Sequence, residues 1–167
     1  TRGEEILDFK KRIYQKAYMS DFDKLYLSIM DEELKRVERT LFHIKTSGYF
    51  DYMKKEVKKL GFCHHDYANH NVLLLENNEI NIIDFDYCIL DSHLHDLSSL
   101  CIRTMKEGRW DLNLFKYIIE SYSKNKEVKD EEFPIMASFI EFPQAYWQLG
   151  LQYYWEQQPW EDRKSTR

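Results

Sequence analysis

The sequence predicts a mainly α-helical chain with one small β-hairpin, an α+β fold class. Apolar residues recur three and four positions apart over most of the chain, which is the period of an amphipathic helix. Near the middle, the apolar runs Val72–Leu75 and Ile80–Ile83 flank a turn that has Asn77 and Asn78 at its centre. Two such runs separated by a short polar turn are typical of a hairpin.

Length and charge limit the classes of protein to which the chain can belong. The 167 residues predict a single domain, 1–167, large enough to enclose a hydrophobic core. The net charge of −5 lacks the basic footprint of a nucleic-acid-binding protein, so no nucleic-acid partner is expected. One lysine cluster is predicted to be the solvated face of a helix: Lys54, Lys55, Lys58 and Lys59.

The sequence shows no sign of a membrane or secreted location. It has no run of about 18 apolar residues and opens with no signal-peptide pattern, so no membrane partner is expected. Cys63, Cys88 and Cys101 lack C-x-x-C spacing and cannot all pair. A reduced, cytoplasmic chain is therefore expected. The first residue is Thr1 rather than Met, which indicates a fragment or a processed product.

Three helices are predicted before the hairpin. Apolar residues at helical spacing predict the first over about residues 4–18. Ser20 with Asp23 resembles a capping box, and it opens a long amphipathic helix that ends near Gly48. The apolar stripe of this helix is predicted to pack within the domain, with a coiled-coil seam as the alternative. A third helix covers about residues 49–60.

Two further helices are predicted directly after the hairpin. Asp91 or Ser92 would cap the first, which reaches about Lys106. Gly108 would end that helix, because glycine is a poor helix former. The second helix covers about residues 112–123 and has its own apolar side.

The last part of the chain is predicted to be a charged linker followed by a divided helical stretch. The linker covers about residues 124–132, and Pro134 suits the first turn of the helix after it. Pro143 should kink or divide the helical pattern. The aromatic-rich stretch up to Trp160 is predicted to form the core of the last helix pair, with a wall for a bound substrate as the alternative. The polar residues 161–167 are predicted to fray.

Polar side chains cluster at both ends of the predicted hairpin. His64, Asp66 and Asn71 precede its first strand, and Asp84 and Asp86 follow its second. A hairpin brings these two segments together, so we expect the two groups to face each other across a few ångströms. A base, a carboxamide and carboxylates that converge in this way suit phosphoryl transfer. Taken alone, Asp66 and Asn71 could be simple loop-capping residues, but their combination with the acidic pair favours a functional site.

This order of residues resembles the kinase-like fold, whose catalytic loop H-R-D-x-x-x-x-N is followed by D-F-G. The missing Arg and the acidic residue in place of Gly point to the aminoglycoside/choline phosphotransferase superfamily, whose loop is usually H-G-D-x-x-x-x-N. Within that superfamily, the stretch 62–103 is most similar to spore-coat (CotS-type) kinase-like proteins. The residues that carry the resemblance are His64-His65-Asp66, Asn71, Asp84-Phe85-Asp86 and Asp96-Leu97.

The resemblance implies a role for each matching residue. Asp66 would be the catalytic base, and His64 would brace its loop. Asn71 and Asp84 would hold Mg²⁺ against the phosphates of ATP. Asp86 would assist a second metal ion.

Two more residues bear on the loop. His65 stands where the superfamily usually has Gly, so its backbone conformation must tolerate a side chain. Asp96 would accept hydrogen bonds from the backbone of the loop, as the resemblance implies.

The resemblance covers only the C-terminal lobe of the kinase-like fold. None of the five glycines forms a G-x-G-x-x-G loop, and no V-A-I-K-like strand precedes Asp66. The N-terminal ATP-binding lobe is therefore expected to be absent, and the chain alone is expected to be inactive or nearly so. The face where that lobe would dock is expected to be apolar and to promote self-association.

These observations predict a C-lobe fragment of a phosphotransferase. Its reaction would move the ATP γ-phosphate to a hydroxyl of a small molecule or a coat component. The alternative, which the unusual His65 and the missing lobe leave open, is a catalytically silent kinase-like structural protein of the bacterial spore coat. The resemblance gives the location as the cytoplasm or the spore coat.

Histidines are concentrated around the predicted site. Five of the six lie between positions 64 and 95, and Cys63 stands beside them. Histidine and cysteine together could indicate zinc. However, the spacing matches no standard zinc signature, and His70 and His93 are explained as loop residues. Zinc is therefore a minor alternative, which metal analysis of the purified chain would test.

Overall fold

The computed structural model describes residues 1–106 and 110–156, so Gly108, Trp160 and the predicted tail 161–167 lie outside the described residues. The predicted fold class is confirmed: the described chain is mainly helical and has one two-stranded antiparallel sheet. The elements are α1 Arg2–Tyr14, α2 Asp21–Thr46, α3 Tyr49–Lys58, β1 Val72–Leu74, β2 Ile80–Ile82, α4 His93–Met105, α5 Leu112–Ser123, α6 Phe133–Glu141 and α7 Gln144–Tyr154.

The chain divides into two compact units, each with its own hydrophobic core. The first unit contains Thr1–Arg39 and the chain from Phe142 onward, and the second unit is Thr40–Glu141. The expectation of a single domain, 1–167, stays a prediction. None of the described helices is both long and apolar enough to cross a membrane.

The core of the first unit is aromatic. Tyr26 and Tyr146 stack with ring centroids 4.1 Å apart, and each hydroxyl donates a hydrogen bond to the other residue's carbonyl oxygen. Gly150 lies against these rings, because an added Cβ would come within 2.3 Å of the Tyr26 hydroxyl. The predicted core role of the aromatic-rich stretch is confirmed for Tyr146 and Tyr154, which are both buried.

The start of α2 is fixed by the predicted capping box. The Ser20 hydroxyl accepts a hydrogen bond from the Asp23 backbone N–H, and the Asp23 carboxylate accepts one from the Ser20 N–H. Asp23 is fully buried and also binds Lys16. The first helix ends at Tyr14 rather than near residue 18, because the chain turns there and Lys16 reaches this carboxylate.

The core of the second unit lies between α4 and α6, with α5 beside them. The apolar residues of α4 at helical spacing are predicted by the sequence to face inward, and all are buried except Leu100, which is only half-buried: Leu94, Leu97, Leu100, Cys101 and Met105. Ser92 caps the helix, as predicted, by accepting a hydrogen bond from the Leu94 N–H. Pro134 is the second residue of α6, and Pro143 separates α6 from α7, so both proline predictions are confirmed. The four lysines predicted to be solvated on α3 and its end are exposed.

The hairpin pairs β1 with β2 in the register Val72 opposite Ile82 and Leu74 opposite Ile80. Its apolar side chains are largely open to solvent: Leu74 is 71% exposed and Ile80 is 64% exposed. Exposed apolar patches favour association. The predicted self-association stays a prediction, which light scattering at high protein concentration would test.

Candidate active site

The two groups of polar residues meet at one end of the hairpin. The ladder continues past β2, because the Ile83 N–H donates to the Asn71 carbonyl oxygen at 3.0 Å. Asp84 therefore follows directly after the residue that pairs with Asn71. Further out on the two flanks of the hairpin, two backbone hydrogen bonds join Cys63 to Ile89. The catalytic-loop segment, residues 64–71, is thus tied at both ends to the acidic segment, residues 84–86.

Asp96 fixes the start of the catalytic-loop segment. Its carboxylate accepts hydrogen bonds from the His64 N–H at 2.6 Å and from the His65 N–H at 2.9 Å. Hydrogen bonds to a charged acceptor are stronger than those between neutral groups. Because Asp96 lies in the first turn of α4, the helix core holds the loop in place.

His65 adopts the backbone conformation that explains why glycine is usual at this position. Its φ angle is +68°, in the left-handed region. That region costs a residue with a side chain about 1–2 kcal/mol. The N–H groups of His64 and His65 both donate to the Asp96 carboxylate, which holds the two peptides that precede the His65 Cα in place. The side chain at His65 is therefore compatible with the loop.

His64 links the loop to the end of the second strand. It is only 5% exposed, and its Nε2 lies 2.9 Å from the Ile83 carbonyl oxygen. A carbonyl oxygen only accepts, so Nε2 carries the proton and donates. The imidazole also packs on Phe85, with ring centroids 4.8 Å apart. These contacts suit a bracing residue, and that role remains a proposal.

Asp66 and Asn71 contact each other inside the loop. The Asn71 amide group, Nδ2, donates to the Asp66 backbone carbonyl oxygen at 2.9 Å and to its carboxylate Oδ2 at 3.3 Å. Asn71 is 2% exposed. In the part of the chain that the structure describes, the side-chain hydrogen bonds of Asn71 use only Nδ2, so its Oδ1 is the atom available to a cation.

Arg103 is the residue that sequence reasoning missed. Its guanidinium donates to Asp66 Oδ1 at 2.7 Å and to the Ser99 hydroxyl at 3.3 Å. Arg103 lies on α4, seven residues after Asp96, and a spacing of seven brings two residues to the same side of a helix. Because Asp96 was expected to face the loop, this spacing was the signal that could have identified Arg103.

The acidic segment, unlike the buried parts of the catalytic-loop segment, is exposed to solvent. Asp84 has φ +63° and ψ +63°, another left-handed residue with a side chain. The side chains of Asp84 and Asp86 are exposed, and neither makes a hydrogen bond or ion pair with any residue in the described ranges. Carboxylate and amide oxygens are the ligands that Mg²⁺ prefers. The carboxylates of Asp84 and Asp86 and the amide oxygen of Asn71 are therefore ligand types that suit Mg²⁺.

A cavity of about 330 Å³ opens beside the loop. It lies against the residues that directly follow Asp66 and against α4 one turn before Arg103. The lining combines an aromatic ring, an amide and aliphatic side chains, which suits a small polar molecule with an apolar face. Its lining residues are Tyr67, Ala68, Asn69, Val72 and Leu100.

Comparisons with known proteins agree with this geometry. The family model of the phosphotransferase enzyme family matches residues 8–128. The crystal structure of an aminoglycoside phosphotransferase from Alicyclobacillus acidocaldarius subsp. acidocaldarius DSM 446 superposes with a TM-score of 0.79 at 22% sequence identity. The match covers 92% of the present chain and 46% of that protein, so this chain spans about half of its length. At this level of identity the likeness shows a shared fold.

Proposed function

The chain belongs to the phosphotransferase enzyme family, and on that premise we propose that it supplies the catalytic loop and the metal-binding segment for transfer of the ATP γ-phosphate to a hydroxyl group. The observation that carries the proposal is the meeting of Asp66, Asn71 and Asp84 at one end of the hairpin. The reaction is proposed for the whole protein, since this chain corresponds to about half the length of its structural relative.

In this proposal Asp66 is the base that accepts or orients the proton of the acceptor hydroxyl. Asn71 and Arg103 each donate a hydrogen bond to one of its carboxylate oxygens. A carboxylate oxygen has two lone pairs, so each oxygen can still accept a further hydrogen bond. Fixing the carboxylate from both sides limits its rotation, and positioning of the reacting groups is a major part of catalysis in phosphoryl transfer.

The acidic segment is proposed to hold the nucleotide through Mg²⁺. Asn71 Oδ1 and the Asp84 carboxylate would be the protein ligands, and Asp86 would assist a second ion. A bound Mg²⁺ neutralises charge on the phosphates during transfer. The open side chains of Asp84 and Asp86 suit this role, because Mg²⁺ is usually bound by one or two carboxylates together with substrate phosphates and water.

The substrate class and the setting are the finer parts of the proposal. The acceptor is proposed to be a small molecule or a coat component that carries a hydroxyl. The similarity of residues 62–103 to spore-coat kinase-like proteins supports the second of these. We expect the 167 residues alone to turn over slowly or not at all, because no glycine-rich phosphate loop is recognisable among them.

One observation favours a second function, that of a catalytically silent structural protein of the spore coat. Arg103 already forms an ion pair with Asp66, the proposed base. In a silent relative such a pair would serve to fix the loop, and no acceptor would need to displace or share it. The two functions differ in whether the whole protein turns over ATP.

Calorimetric titration of Mg·ATP into the chain tests the metal-binding part. We expect binding that weakens at least about tenfold in Asp84→Asn, since one of the few protein ligands loses its charge. Asp51→Asn is the matched control, because Asp51 is an exposed acid on α3 and should leave binding unchanged. Equal binding by Asp84→Asn and the parent chain would contradict the proposed metal ligand.

Asp66→Ala in the whole protein tests the chemistry. The proposal predicts ATP-dependent transfer that falls by at least about a hundredfold while Mg·ATP binding is retained. Turnover that is unaltered by the change would rule out Asp66 as the base. Intact Mg·ATP binding without any turnover in the parent protein, with a range of hydroxyl acceptors, would favour the structural function.

A further inference from the structure

The structure brings together a second group of metal-ligating side chains beneath the catalytic loop. One ligand atom from each of Cys63, His95 and Asp96 lies within 4.8 Å of the other two. Cys63 comes from the segment before the loop, and His95 and Asp96 are neighbours in the first turn of α4. Because Cys63 stands more than 30 positions before His95 and Asp96, no short zinc motif could have revealed the group.

The backbone around this cluster is already fixed. Cys63 is held by two backbone hydrogen bonds with Ile89. Asp96 is held by the N–H groups of His64 and His65, and α4 carries His95 at a set distance from it. A metal site of this kind needs little rearrangement of the chain on binding, which favours affinity.

His65 is a fourth candidate ligand, because it contacts both His95 and Asp96. The imidazole rings of His65 and His95 are 4.7 Å apart between centroids, at an interplanar angle of 32°. His65 follows Cys63 by two residues, and its N–H is already bound to Asp96. The group therefore offers one sulfur, two imidazoles and one carboxylate.

We propose that Cys63, His95 and Asp96, with His65 as the fourth ligand, form a zinc-binding site beneath the catalytic loop. Sulfur, nitrogen and oxygen ligands in a group of four are typical of tetrahedral zinc, whereas Mg²⁺ prefers oxygen alone. In tetrahedral zinc, neighbouring ligand atoms are about 3.5 Å apart, as follows from Zn–S and Zn–N bonds of about 2.3 and 2.0 Å. The ligand atoms of Cys63, His95 and Asp96 would need to approach one another by at most about 1.3 Å, which rotation about their χ angles can supply.

The binding of Zn²⁺ at this site balances in both charge and protons. Burial raises the pKa of the Cys63 thiol to about 12, with added contributions from Asp96 and Asp91, so without metal the thiol is neutral. Binding of Zn²⁺ releases that proton to solvent, and the thiolate and the Asp96 carboxylate together offset the two positive charges. Asp96 keeps its hydrogen bonds to the loop, because each carboxylate oxygen has a second lone pair.

The role of this site is to fix the loop, separately from the proposed phosphoryl transfer. It shares no residue with the Mg²⁺ ligands Asn71 and Asp84. A metal ion here would join the segment before the loop, the left-handed His65 and α4 through coordinate bonds. A ligand that binds only the folded chain raises its stability, so zinc should raise the melting temperature of the protein.

Cobalt substitution of the full chain gives the sharpest test. The chain is stripped with a chelator and titrated with Co²⁺, which replaces zinc and reports thiolate coordination as a charge-transfer band in the near ultraviolet. We expect this band to saturate at about one Co²⁺ per chain, and Zn²⁺ to displace the Co²⁺. Cys63→Ser should abolish the band. The controls Cys88→Ser and Cys101→Ser remove the other free cysteines and should retain it.

His95→Gln is a second test variant, which keeps the proposal testable if Cys63→Ser does not fold. We expect it to weaken zinc affinity at least about tenfold, as loss of a metal-site contact does, and to cancel the zinc-dependent rise in melting temperature. Circular dichroism of each metal-free variant establishes that it is folded. A folded parent chain with no thiolate band and no bound zinc would overturn the proposal, and so would equal zinc affinity in the parent, Cys63→Ser and His95→Gln.

Discussion

The two halves of the candidate active site are built in opposite ways. In the catalytic-loop segment, the Asp66 carboxylate and the His64 imidazole both have hydrogen-bond partners within the second unit, and the His64 and His65 N–H groups donate to Asp96 on α4. In the acidic segment, Asp84 and Asp86 are exposed, and their side chains make no hydrogen bond with the described residues. One half is fixed by the fold, and the other presents its charges to solvent.

This difference indicates how the site would work. A base must be positioned before the acceptor arrives, so its loop is held by α4 and by the second strand. Ligands for Mg²⁺ must stay available, because any partner from the protein would compete with the cation. Left-handed backbone occurs in both halves, at His65 and at Asp84. At His65 this conformation is supported by two hydrogen bonds, which the N–H groups of His64 and His65 donate to the Asp96 carboxylate.

The largest expected effect is the loss of the brace on the loop. Asp96→Ala removes two charge-assisted hydrogen bonds and should lower the free energy of unfolding by about 3 kcal/mol. Asp84→Asn should change it by less than about 0.5 kcal/mol, because the side chain is exposed without partners among the described residues and asparagine tolerates left-handed backbone. Denaturant unfolding of both variants measures this contrast. Equal losses would break the distinction between the two halves.

A buried acid in the first unit, Asp23, should make the free energy of unfolding depend on pH. Burial raises the pKa of Asp23, but hydrogen bonds from Lys16, the Ser20 N–H and Tyr154 outweigh this and lower it to about 2. A depressed carboxyl pKa stabilises the fold above the unfolded value of about 3.8, and that contribution, about 2 kcal/mol, is lost as pH falls toward 2.

Unfolding curves of the parent chain and of Asp23→Asn between pH 5 and pH 2 provide the measurement. Asp23→Asn should be less stable at pH 5 and should lose less stability on acidification than the parent. A parent-like acid response in Asp23→Asn would show that this carboxylate is not the group responsible.

The hydrogen bond between His64 and the Ile83 carbonyl oxygen links the two halves, and its loss should have the next largest effect on the free energy of unfolding. His64→Leu removes the Nε2–H that donates to the Ile83 carbonyl oxygen, and the loss of one such hydrogen bond should lower the free energy of unfolding by about 1 kcal/mol. His70→Leu is a suitable control, because the His70 side chain is 71% exposed. Thermal unfolding measures both. If both variants unfold alike, His64 does not brace the strand end.

The smallest expected effect has the opposite sign. Asp84→Gly relieves left-handed backbone strain and should raise the free energy of unfolding by up to about 1 kcal/mol, partly offset by the greater freedom of glycine in the unfolded chain. The same change should weaken Mg·ATP binding, which calorimetry would detect. A gain in stability together with a loss of binding is the signature of a residue kept for function.

The helices and the hairpin could be predicted from the sequence because their signals are local. The second helix after the hairpin, α5, has the predicted bounds of residues 112–123, since Asp111 caps it and its apolar residues keep the helical period. The end of α1 was wrong, because the contact between Lys16 and the buried Asp23 depends on where two helices meet.

The membership of the candidate site was only partly predictable. The residues on the hairpin flanks could be placed because the strands determine their neighbours. Arg103 and the group around Cys63 depend on how α4 packs against the loop, and a pattern along the chain carries no information on that packing. The exposure of Leu74 and Ile80 likewise depends on which elements pack against the hairpin, and the order of apolar and polar residues in the sequence does not specify this.

Amide hydrogen exchange tests the central claim most directly, by comparing the N–H groups of the two halves with and without Mg·ATP. The account predicts that the N–H groups of His64 and His65 are protected in the free chain, because both donate to Asp96. Those of Asp84 and Asp86 should exchange rapidly and become protected only when Mg·ATP is added. Rapid exchange at His64 and His65, or protection at Asp84 and Asp86 before any nucleotide is present, would contradict it.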